Sequence, residues 1–322
     1  MKALVTGGTG FIGSHLVDAL IARGARVTVL TRFPRRKLPP DWPGVEIVKG
    51  DLANLEALRI ASRGQDVIYH CAGLVAARNE AEFFAVNRDG TERLLAAAAE
   101  GSRARFILVS SLSAAGPSPR GGRKQGHEPA EPVNSYGRSK LAAETVVRAG
   151  SLPWTIIRPP AVYGPRDKEL LRVFKAVRFG LLPIFGDGSQ ELSMVYVADL
   201  VSATIATGSS QAAVGKVLYP CHREVVTSTM FAREVAKAMG RRIRFVKLSR
   251  WFTSGVFGVT STAARLARVT TMLAPDKIFE LYAPAWTADP GVLETATGWK
   301  AEFDLARGVP ETARWYRGAG WV

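Results

Sequence analysis

Cysteine is scarce in this chain, and several other features are absent altogether. The 322 residues include two cysteines, Cys71 and Cys221, which are too few for a disulfide framework and lack metal-ligand spacing. No apolar run reaches the roughly 18 residues that a spanning helix needs. No charged, apolar and small-residue sections precede Ala3, so no secretory signal is expected. We therefore expect a cytoplasmic protein without a transmembrane segment and without a metal site.

Acidic residues are in the minority, with 28 Asp and Glu against 43 Lys and Arg, for a net charge of +15. Such a charge attracts nucleic acid, anionic lipid or phosphorylated ligands. The basic residues form only short clusters, and no nucleic-acid module or run of stacking aromatics accompanies them. We therefore predict no nucleic-acid partner and interpret most of this charge as solvated surface. The cluster at 32–37 differs, because it directly follows a predicted strand.

Short apolar strands alternate with amphipathic segments through residues 1–160. This alternation predicts an α/β fold with a doubly wound parallel sheet of the Rossmann type, covered by helices on both faces. The predicted helices include Gly13–Arg23, Asn87–Glu100 and Ser135–Ala149. The predicted strands are Ala3–Thr6, Arg26–Leu30, Val45–Lys49, Val67–Cys71, Arg105–Ser110 and Trp154–Arg158.

A glycine-rich loop lies between the first predicted strand and the first helix. It reads Thr-Gly-Gly-Thr-Gly-Phe-Ile-Gly over residues 6–13. A pyrophosphate binds backbone N–H groups at a helix N-terminus, where side chains would block its approach. Gly7 permits the tight turn, Gly10 the close approach of the ligand, and Gly13 the packing of helix on strand. The position at a strand–helix junction therefore predicts a dinucleotide site.

The end of the second strand indicates which dinucleotide binds. An acidic residue there would accept hydrogen bonds from a ribose 2′-hydroxyl, whereas an arginine would pair with a 2′-phosphate. Thr31 stands where the acid would be expected, and Arg32 follows it, with Arg35, Arg36 and Lys37 beyond. The sequence therefore favours NADP(H), with NAD(H) as the alternative.

Tyr136 and Lys140 stand one turn apart on one face of a predicted helix. A nearby ammonium favours the phenolate, so we expect Lys140 to lower the pKa of Tyr136 from about 10 toward the working range. Such a tyrosine passes a proton to a carbonyl oxygen while a nicotinamide delivers hydride. The strand just upstream ends in Ser110 and Ser111, where a hydroxyl can hydrogen-bond the substrate oxygen.

The regular alternation weakens after Pro165. We predict a dinucleotide-binding domain over residues 1–165, to which 193–215 return. A smaller, mostly helical substrate-binding domain is predicted over 166–192 and 216–322. Within it, Trp251–Leu273 is apolar with Arg265 and Arg268 as its only charges. We interpret this stretch as a helical lid over a substrate pocket, and a peripheral contact with an anionic membrane is the alternative.

Further motifs occur in a fixed order along nearly the whole chain. In order, the motifs are the glycine loop, Gly50-Asp51-Leu52, Cys71-Ala72-Gly73, Asn87, Val109-Ser110-Ser111, Tyr136–Lys140 and Arg158–Pro165. With them, the sequence resembles the extended short-chain dehydrogenase/reductase superfamily, which includes sugar epimerases and dehydratases, 3β-hydroxysteroid dehydrogenases and dihydroflavonol reductases.

The resemblance implies roles for particular residues of this chain. Ser111 would be the catalytic hydroxyl, with Ser113 as its alternative, Tyr136 the acid/base, and Lys140 the ribose-binding residue that tunes Tyr136. Asp51 and Leu52 would line the adenine. The remaining cofactor contacts implied by the resemblance are Gly7, Gly10, Phe11, Ile12, Gly13, Arg32, Ala72, Gly73 and Pro159.

Three positions favour one branch of this superfamily over another. Where sugar-nucleotide enzymes usually carry Asn and Arg, this chain has Ala161 and Leu192, and Ala115 replaces a Tyr that sugar epimerases often have. A diphosphate would lose expected partners. We therefore predict an NADP(H)-dependent oxidoreductase that interconverts a ketone and a secondary alcohol on an apolar steroid-, acyl- or flavonoid-like substrate.

Two other functions are alternatives. An NAD-dependent sugar-nucleotide epimerase or dehydratase would retain NAD tightly and consume none. A cofactor-sensing binding protein without turnover would not need Ser111, Tyr136 and Lys140. By analogy with its relatives, we also expect a homodimer through the helices at 87–100 and 135–149.

Overall fold

The computed structural model describes residues 1–32, 42–101, 103–266 and 276–322. Arg35, Arg36 and Lys37 lie outside the described residues, as does the end of the predicted lid. The strands are β1 Lys2–Thr6, β2 Arg26–Thr31, β3 Glu46–Lys49, β4 Val67–His70, β5 Arg105–Val109, β6 Trp154–Ile157, β7 Ala161–Tyr163, β8 Leu181–Phe185, β9 Glu191–Leu192, β10 Met194–Tyr196, β11 Val217–Leu218, β12 Val226–Thr227, β13 Arg244–Leu248 and β14 Ala285–Trp286. The helices are α1 Phe11–Ala22, α2 Leu55–Ser62, α3 Glu80–Asn87, α4 Asp89–Gly101, α5 Leu112–Ala115, α6 Ser135–Ala149, α7 Leu171–Arg178, α8 Val197–Ser209, α9 Ser228–Met239, α10 Arg250–Leu266, α11 Lys277–Leu281, α12 Gly291–Thr297 and α13 Leu305–Gly318.

The described residues form a seven-stranded sheet in the order β11-β6-β5-β4-β1-β2-β3. Every pair in it is parallel. The chain runs outward from β1 to β3 and then crosses back to place β4 on the other side of β1. In sheets of this kind, ligands bind at the carboxyl ends of the strands where the order reverses. The predicted doubly wound sheet is confirmed, and its reversal point lies between β1 and β4.

Helices cover both faces of this sheet. On one face, Leu58, Leu94 and Val147 from α2, α4 and α6 are buried against the strands. On the other face, Leu16 of α1 and Leu200 of α8 belong to a second buried cluster. Because parallel strands are buried on both faces, they are almost continuously apolar, as the sequences of β1 and β5 show.

The C-terminal part has its own core, formed mainly by α7, α9 and α13. Phe174, Phe231 and Tyr316 are buried there together. Small sheets accompany these helices, among them a parallel pair of β8 and β13 in which Leu181 faces Arg244. That pair was not predicted, because Pro183 interrupts the strand pattern and the partner strand lies about sixty residues further along the chain.

The helix predicted from Asn87 begins earlier than its sequence pattern indicated. The structure has α3 from Glu80 to Asn87, a break at Arg88, and α4 from Asp89. The Asn79 side chain accepts a hydrogen bond from the N–H of Glu82 and so caps α3. The segment 112–134, which follows β5 and is rich in Gly, Pro and Ser, opens with the short helix α5.

Candidate active site

The glycine loop packs directly against the chain segment that follows β4. Gly7 has a φ of +69°, and a Cβ there would lie 2.7 Å from the backbone nitrogen of Ala72. A Cβ on Gly13 would lie 2.2 Å from the carbonyl oxygen of Gly7, and one on Gly10 would lie 3.2 Å from it. Any larger residue at 7 or 13 would therefore push the loop away from its neighbours.

The N-terminus of α1 is left open by this loop. Its N-cap residue, Gly10, provides no side-chain hydrogen bond, whereas Asn54, Asn79 and Asn134 cap α2, α3 and α6. Among the described residues, the first-turn N–H groups at Phe11 and Ile12 have no hydrogen-bond acceptor, so an external acceptor can bind them. An anion is stabilised at such a position by the helix dipole as well. The loop therefore fits the pyrophosphate of a dinucleotide.

The carboxyl end of β2 presents one buried and one exposed residue. Thr31 is buried, its carbonyl accepts a hydrogen bond from the N–H of Gly50 at 3.0 Å, and Arg32 next to it is exposed. The Asp51 carboxylate accepts a hydrogen bond from the N–H of Ala53 at 2.9 Å. Leu52 is buried against Gly90. A cation and an apolar side chain are thus close to the edge where an adenosine end would lie.

The end of β4 is held in place by hydrogen bonds from three elements. The Ala72 N–H donates to the Thr6 hydroxyl at 3.2 Å, and the buried imidazole of His70 bridges Thr6 and Thr91. A Cβ on Gly73 would lie 2.9 Å from the amide oxygen of Asn87. These contacts fix the segment between the glycine loop and α6. Buried Pro159 at the end of β6 accepts a hydrogen bond from the Leu112 N–H.

Tyr136 and Lys140 occupy adjacent turns at the start of α6. The Lys140 ammonium is buried and donates to the carbonyl oxygen of Val109 at 2.7 Å. Tyr136 is half-buried, and its ring centroid lies 6.0 Å from that of Phe83. Ser111, two positions after β5, lies close enough to the Tyr136 hydroxyl for its side chain to lower the pKa of the tyrosine. The structure thus brings Ser111 and Tyr136 together, with Lys140 one turn further along α6.

The pKa values of this pair are governed mainly by burial. Burial raises the pKa of Tyr136 to about 12; the side chain of Ser111 opposes the rise, and the carboxylates of Glu280 and Glu169 add to it. Burial lowers the pKa of Lys140 to about 8, against the opposing effect of Glu144. The expected lowering of the Tyr136 pKa by Lys140 is wrong for the protein alone, because burial and nearby carboxylates dominate.

Arg158 and Glu144 form a buried ion pair next to the site. The sequence analysis did not predict a role for Glu144. Arg158 donates to the Glu144 carboxylate at 2.8 and 2.7 Å and to the Tyr219 hydroxyl at 2.8 Å. The Ser110 hydroxyl donates to the same carboxylate at 2.6 Å. Glu144 follows Lys140 by four residues, so their shared helix face was the available signal.

Helix α11 contacts the N-terminus of α6 beside Tyr136. The Asp276 carboxylate accepts hydrogen bonds from the N–H and hydroxyl of Ser135 at 2.7 and 2.8 Å. The Glu280 carboxylate accepts a hydrogen bond from the Asn134 amide at 2.6 Å and forms an ion pair with the Lys277 ammonium at 2.8 Å. No local sequence pattern signals this contact, because about 140 residues separate its partners.

Comparison with known proteins agrees with this geometry. The sequence profile described as the NAD dependent epimerase/dehydratase family matches residues 3–217. The chain is 36% identical to a protein named ceramide reductase from Caulobacter vibrioides, over 99% of this chain and 95% of the relative. It is 30% identical to a 3 beta-hydroxysteroid dehydrogenase/Delta 5-->4-isomerase from Mycobacterium tuberculosis, over 79% of this chain and 75% of that one.

Solved structures show the same fold. MoeE5 in complex with UDP-glucuronic acid and NAD has a TM-score of 0.81 and 26% identity, and the match covers 99% of this chain and 100% of that one. The structural match, the family profile and the Ser111, Tyr136 and Lys140 geometry all point to one enzyme class. The chain belongs to the NAD dependent epimerase/dehydratase family, within the extended short-chain dehydrogenase/reductase superfamily.

Proposed function

We propose that this enzyme interconverts a ketone and a secondary alcohol on a long-chain lipid, with NADP(H) as its cofactor. The observation that carries this proposal is the hydroxyl pair of Ser111 and Tyr136 beside Lys140, in a site without the expected diphosphate anchors. The proposal narrows the apolar substrate class that the sequence predicts, in which steroid- and flavonoid-like ketones are also included.

The residues of the site suit proton transfer to a carbonyl oxygen. The bound cofactor supplies the hydride that adds to the carbonyl carbon. Tyr136 gives its phenolic proton to the carbonyl oxygen, and Ser111 donates a hydrogen bond to the same oxygen. A solvent proton restores Tyr136, so ketone, NADPH and one proton give alcohol and NADP⁺. Lys140, one turn further along the same helix, would hold the ribose of the bound cofactor.

The electrostatics of the substrate side disfavour a sugar nucleotide. Ala161 and Leu192 offer no donor where a diphosphate would need one. The carboxylates of Glu169 and Glu280 add to the rise of the Tyr136 pKa that burial causes, and they would repel a diphosphate placed beside it. The full-length similarity to a protein named ceramide reductase supports a long-chain lipid carrying a secondary alcohol.

The cofactor preference rests on the end of β2. Thr31 offers no carboxylate to a 2′-hydroxyl, and the exposed Arg32 suits a 2′-phosphate. We expect Arg32→Ala to weaken NADPH binding by roughly tenfold while it leaves NADH binding nearly unchanged. Binding of each cofactor can be measured by fluorescence titration. If NADH binds the wild type as tightly as NADPH and the substitution alters neither, the preference is wrong.

A substrate panel tests the proposed reaction. We expect NADPH oxidation with a long-chain β-keto amide, and slower or no oxidation with a 3-ketosteroid or a flavanonol. The similarity to MoeE5, whose structure holds UDP-glucuronic acid and NAD, supports the alternative, an NAD-dependent sugar-nucleotide epimerase or dehydratase. Epimerisation of a UDP-sugar without net cofactor consumption, together with inactivity on every ketone, would establish that alternative and overturn the proposal.

A further inference from the structure

One face of α10 is apolar and exposed. Trp251 is 85% exposed, Val259 is 72% exposed, and Phe252 and Val256 lie on the same side of the helix. The opposite side is packed, with Thr253 and Phe257 buried. We call Trp251, Phe252, Val256 and Val259 the α10 patch. A cluster of large exposed apolar side chains on one helix face marks an interaction site more often than chance.

The patch is enlarged by the neighbouring helix α11. Phe279 is about half exposed, and the Arg250 guanidinium lies 5.6 Å from the centroid of its ring. Aromatic side chains beside an arginine are typical of the boundary between lipid headgroups and acyl chains. The patch therefore combines apolar anchors with a cation at its border.

The chain around the patch is basic. Between Glu234 and Asp276 the sequence contains no Asp or Glu, while it contains eight Lys and Arg residues. Those that precede the patch and are exposed in the structure are Lys237, Arg241, Arg242, Arg244, Lys247 and Arg250. An apolar helix face bordered by cations is complementary to an anionic bilayer. The same charge would repel a second copy of this face.

We propose that the α10 patch docks on anionic phospholipid bilayers and holds the enzyme at the membrane surface. Within the described ranges, no helix has the length and apolarity to cross a bilayer. The mode of contact is therefore a helix lying in the interface, with Trp251, Phe252, Val256 and Val259 inserted among the headgroups and upper acyl chains. The basic residues then contact the lipid phosphates.

Docking here would bring the lipid surface close to the site. The Tyr282 hydroxyl lies 2.7 Å from that of Thr253 on α10 and donates to the Leu248 carbonyl at 2.9 Å. Glu280 of α11 is hydrogen-bonded to Asn134, which caps α6 just before Tyr136. Only this link between docking and catalysis depends on the proposed lipid substrate; the docking itself does not.

Co-sedimentation of the full-length protein with vesicles tests the proposal, without cofactor or substrate. We expect binding to phosphatidylcholine vesicles that contain roughly one third phosphatidylglycerol, and at least about tenfold weaker binding to pure phosphatidylcholine. The double variant Trp251→Ala/Val259→Asp should lose at least about tenfold in affinity for the anionic vesicles. Arg241→Gln/Arg242→Gln should weaken binding by a similar factor and make it less sensitive to salt.

Ile60→Asp is the matched control, because Ile60 is a half-exposed apolar residue on α2, far from the patch in sequence. It should bind vesicles like the wild type, and circular dichroism should show all variants folded.

Equal binding of the wild type and the Trp251→Ala/Val259→Asp variant would overturn the proposal. A second result would also overturn it: the wild type does not bind vesicles but forms a dimer, and the Trp251→Ala/Val259→Asp variant is a monomer. The patch would then contact a second copy of the chain. The variants with weakened vesicle binding should still reduce a short, water-soluble ketone. This assay therefore separates a failure of docking from a failure of the proposed reaction.

Discussion

At the scale of single residues, burial determines how the site handles protons. Tyr136, with its pKa raised to about 12, keeps its proton across the physiological range. Lys140, with its pKa lowered to about 8, titrates close to that range. The acid that would serve reduction is therefore present at neutral pH, and the neighbouring ammonium is the group whose charge changes first as pH rises.

We expect kcat/KM for NADPH to fall as pH rises through about 8, because this parameter reports groups of the free enzyme and Lys140 then loses its proton. The pKa of Lys140 is lowered, so the charged form is present below about pH 8. A pH–rate profile measures the effect. Lys140→Arg, whose guanidinium does not titrate there, should remove the fall. A wild-type profile that stays flat to pH 10 would show that Lys140 does not contribute in this way.

We expect Glu144→Gln to lower the free energy of unfolding by about 3 kcal/mol, because Arg158 would be left as a buried charge without its partner. Urea denaturation measures the loss. Glu100→Gln is the matched control: Glu100 pairs with Arg59 at 2.7 Å on the surface, where solvent screens the pair and the loss should be much smaller. Equal losses in the two variants would mean that the Glu144–Arg158 pair contributes no more than a surface pair.

At the scale of elements, two helix N-termini at the sheet edge differ in whether side chains of the protein cap them. Helix α6 is capped by Asn134 and contacted by Asp276, so the N–H groups of Gly137 and Ser135 have acceptors within the protein. Helix α1 begins at a glycine loop without a capping side chain. Because unsatisfied N–H groups attract anions, α1 is the helix that suits a phosphate.

We expect Gly13→Ala to weaken NADPH binding by about tenfold or more and to destabilise the fold by about 1–3 kcal/mol, because its Cβ would collide with the Gly7 carbonyl. Calorimetric titration and thermal unfolding measure the two effects. Gly318→Ala is the control, since a Cβ there meets open space near the end of α13. If Gly13→Ala binds NADPH like the wild type, the loop tolerates a shift and its close packing is not needed for binding.

Elements with a local signal could be predicted, and elements that depend on distant partners could not. The glycine loop at 7–13 and α6 carry their patterns within a few residues, and α6 spans the predicted Ser135–Ala149. The β8–β13 pair and the contact of Asp276 with Ser135 join segments far apart in sequence. No periodicity within either segment specifies the partner. The predicted lowering of the Tyr136 pKa was wrong for the same reason, because burial by segments distant in sequence determines this pKa.

At the scale of the whole molecule, the reversal of strand order brings the segments of the site together at one edge of the sheet. The loop after β1 and the segment after β4 lie side by side, and the end of β5 brings Ser111 next to the start of α6. The C-terminal segments place α11 against this edge and expose the α10 patch beside it. The domain boundaries at 165, 192 and 215 and the homodimer stay predictions.

Hydride transfer tested with deuterated cofactor is the most direct measurement of the proposed reaction. The enzyme is incubated with a long-chain β-keto amide and NADPH that carries deuterium at both hydrogen positions of the nicotinamide C4, and the mass of the product is measured by mass spectrometry. We predict an alcohol that carries one deuterium, formed roughly 10²–10⁴-fold more slowly by Tyr136→Phe, with NADPH binding little changed. An alcohol without deuterium, no alcohol at all, or an undiminished rate in Tyr136→Phe would contradict the proposed role of this site.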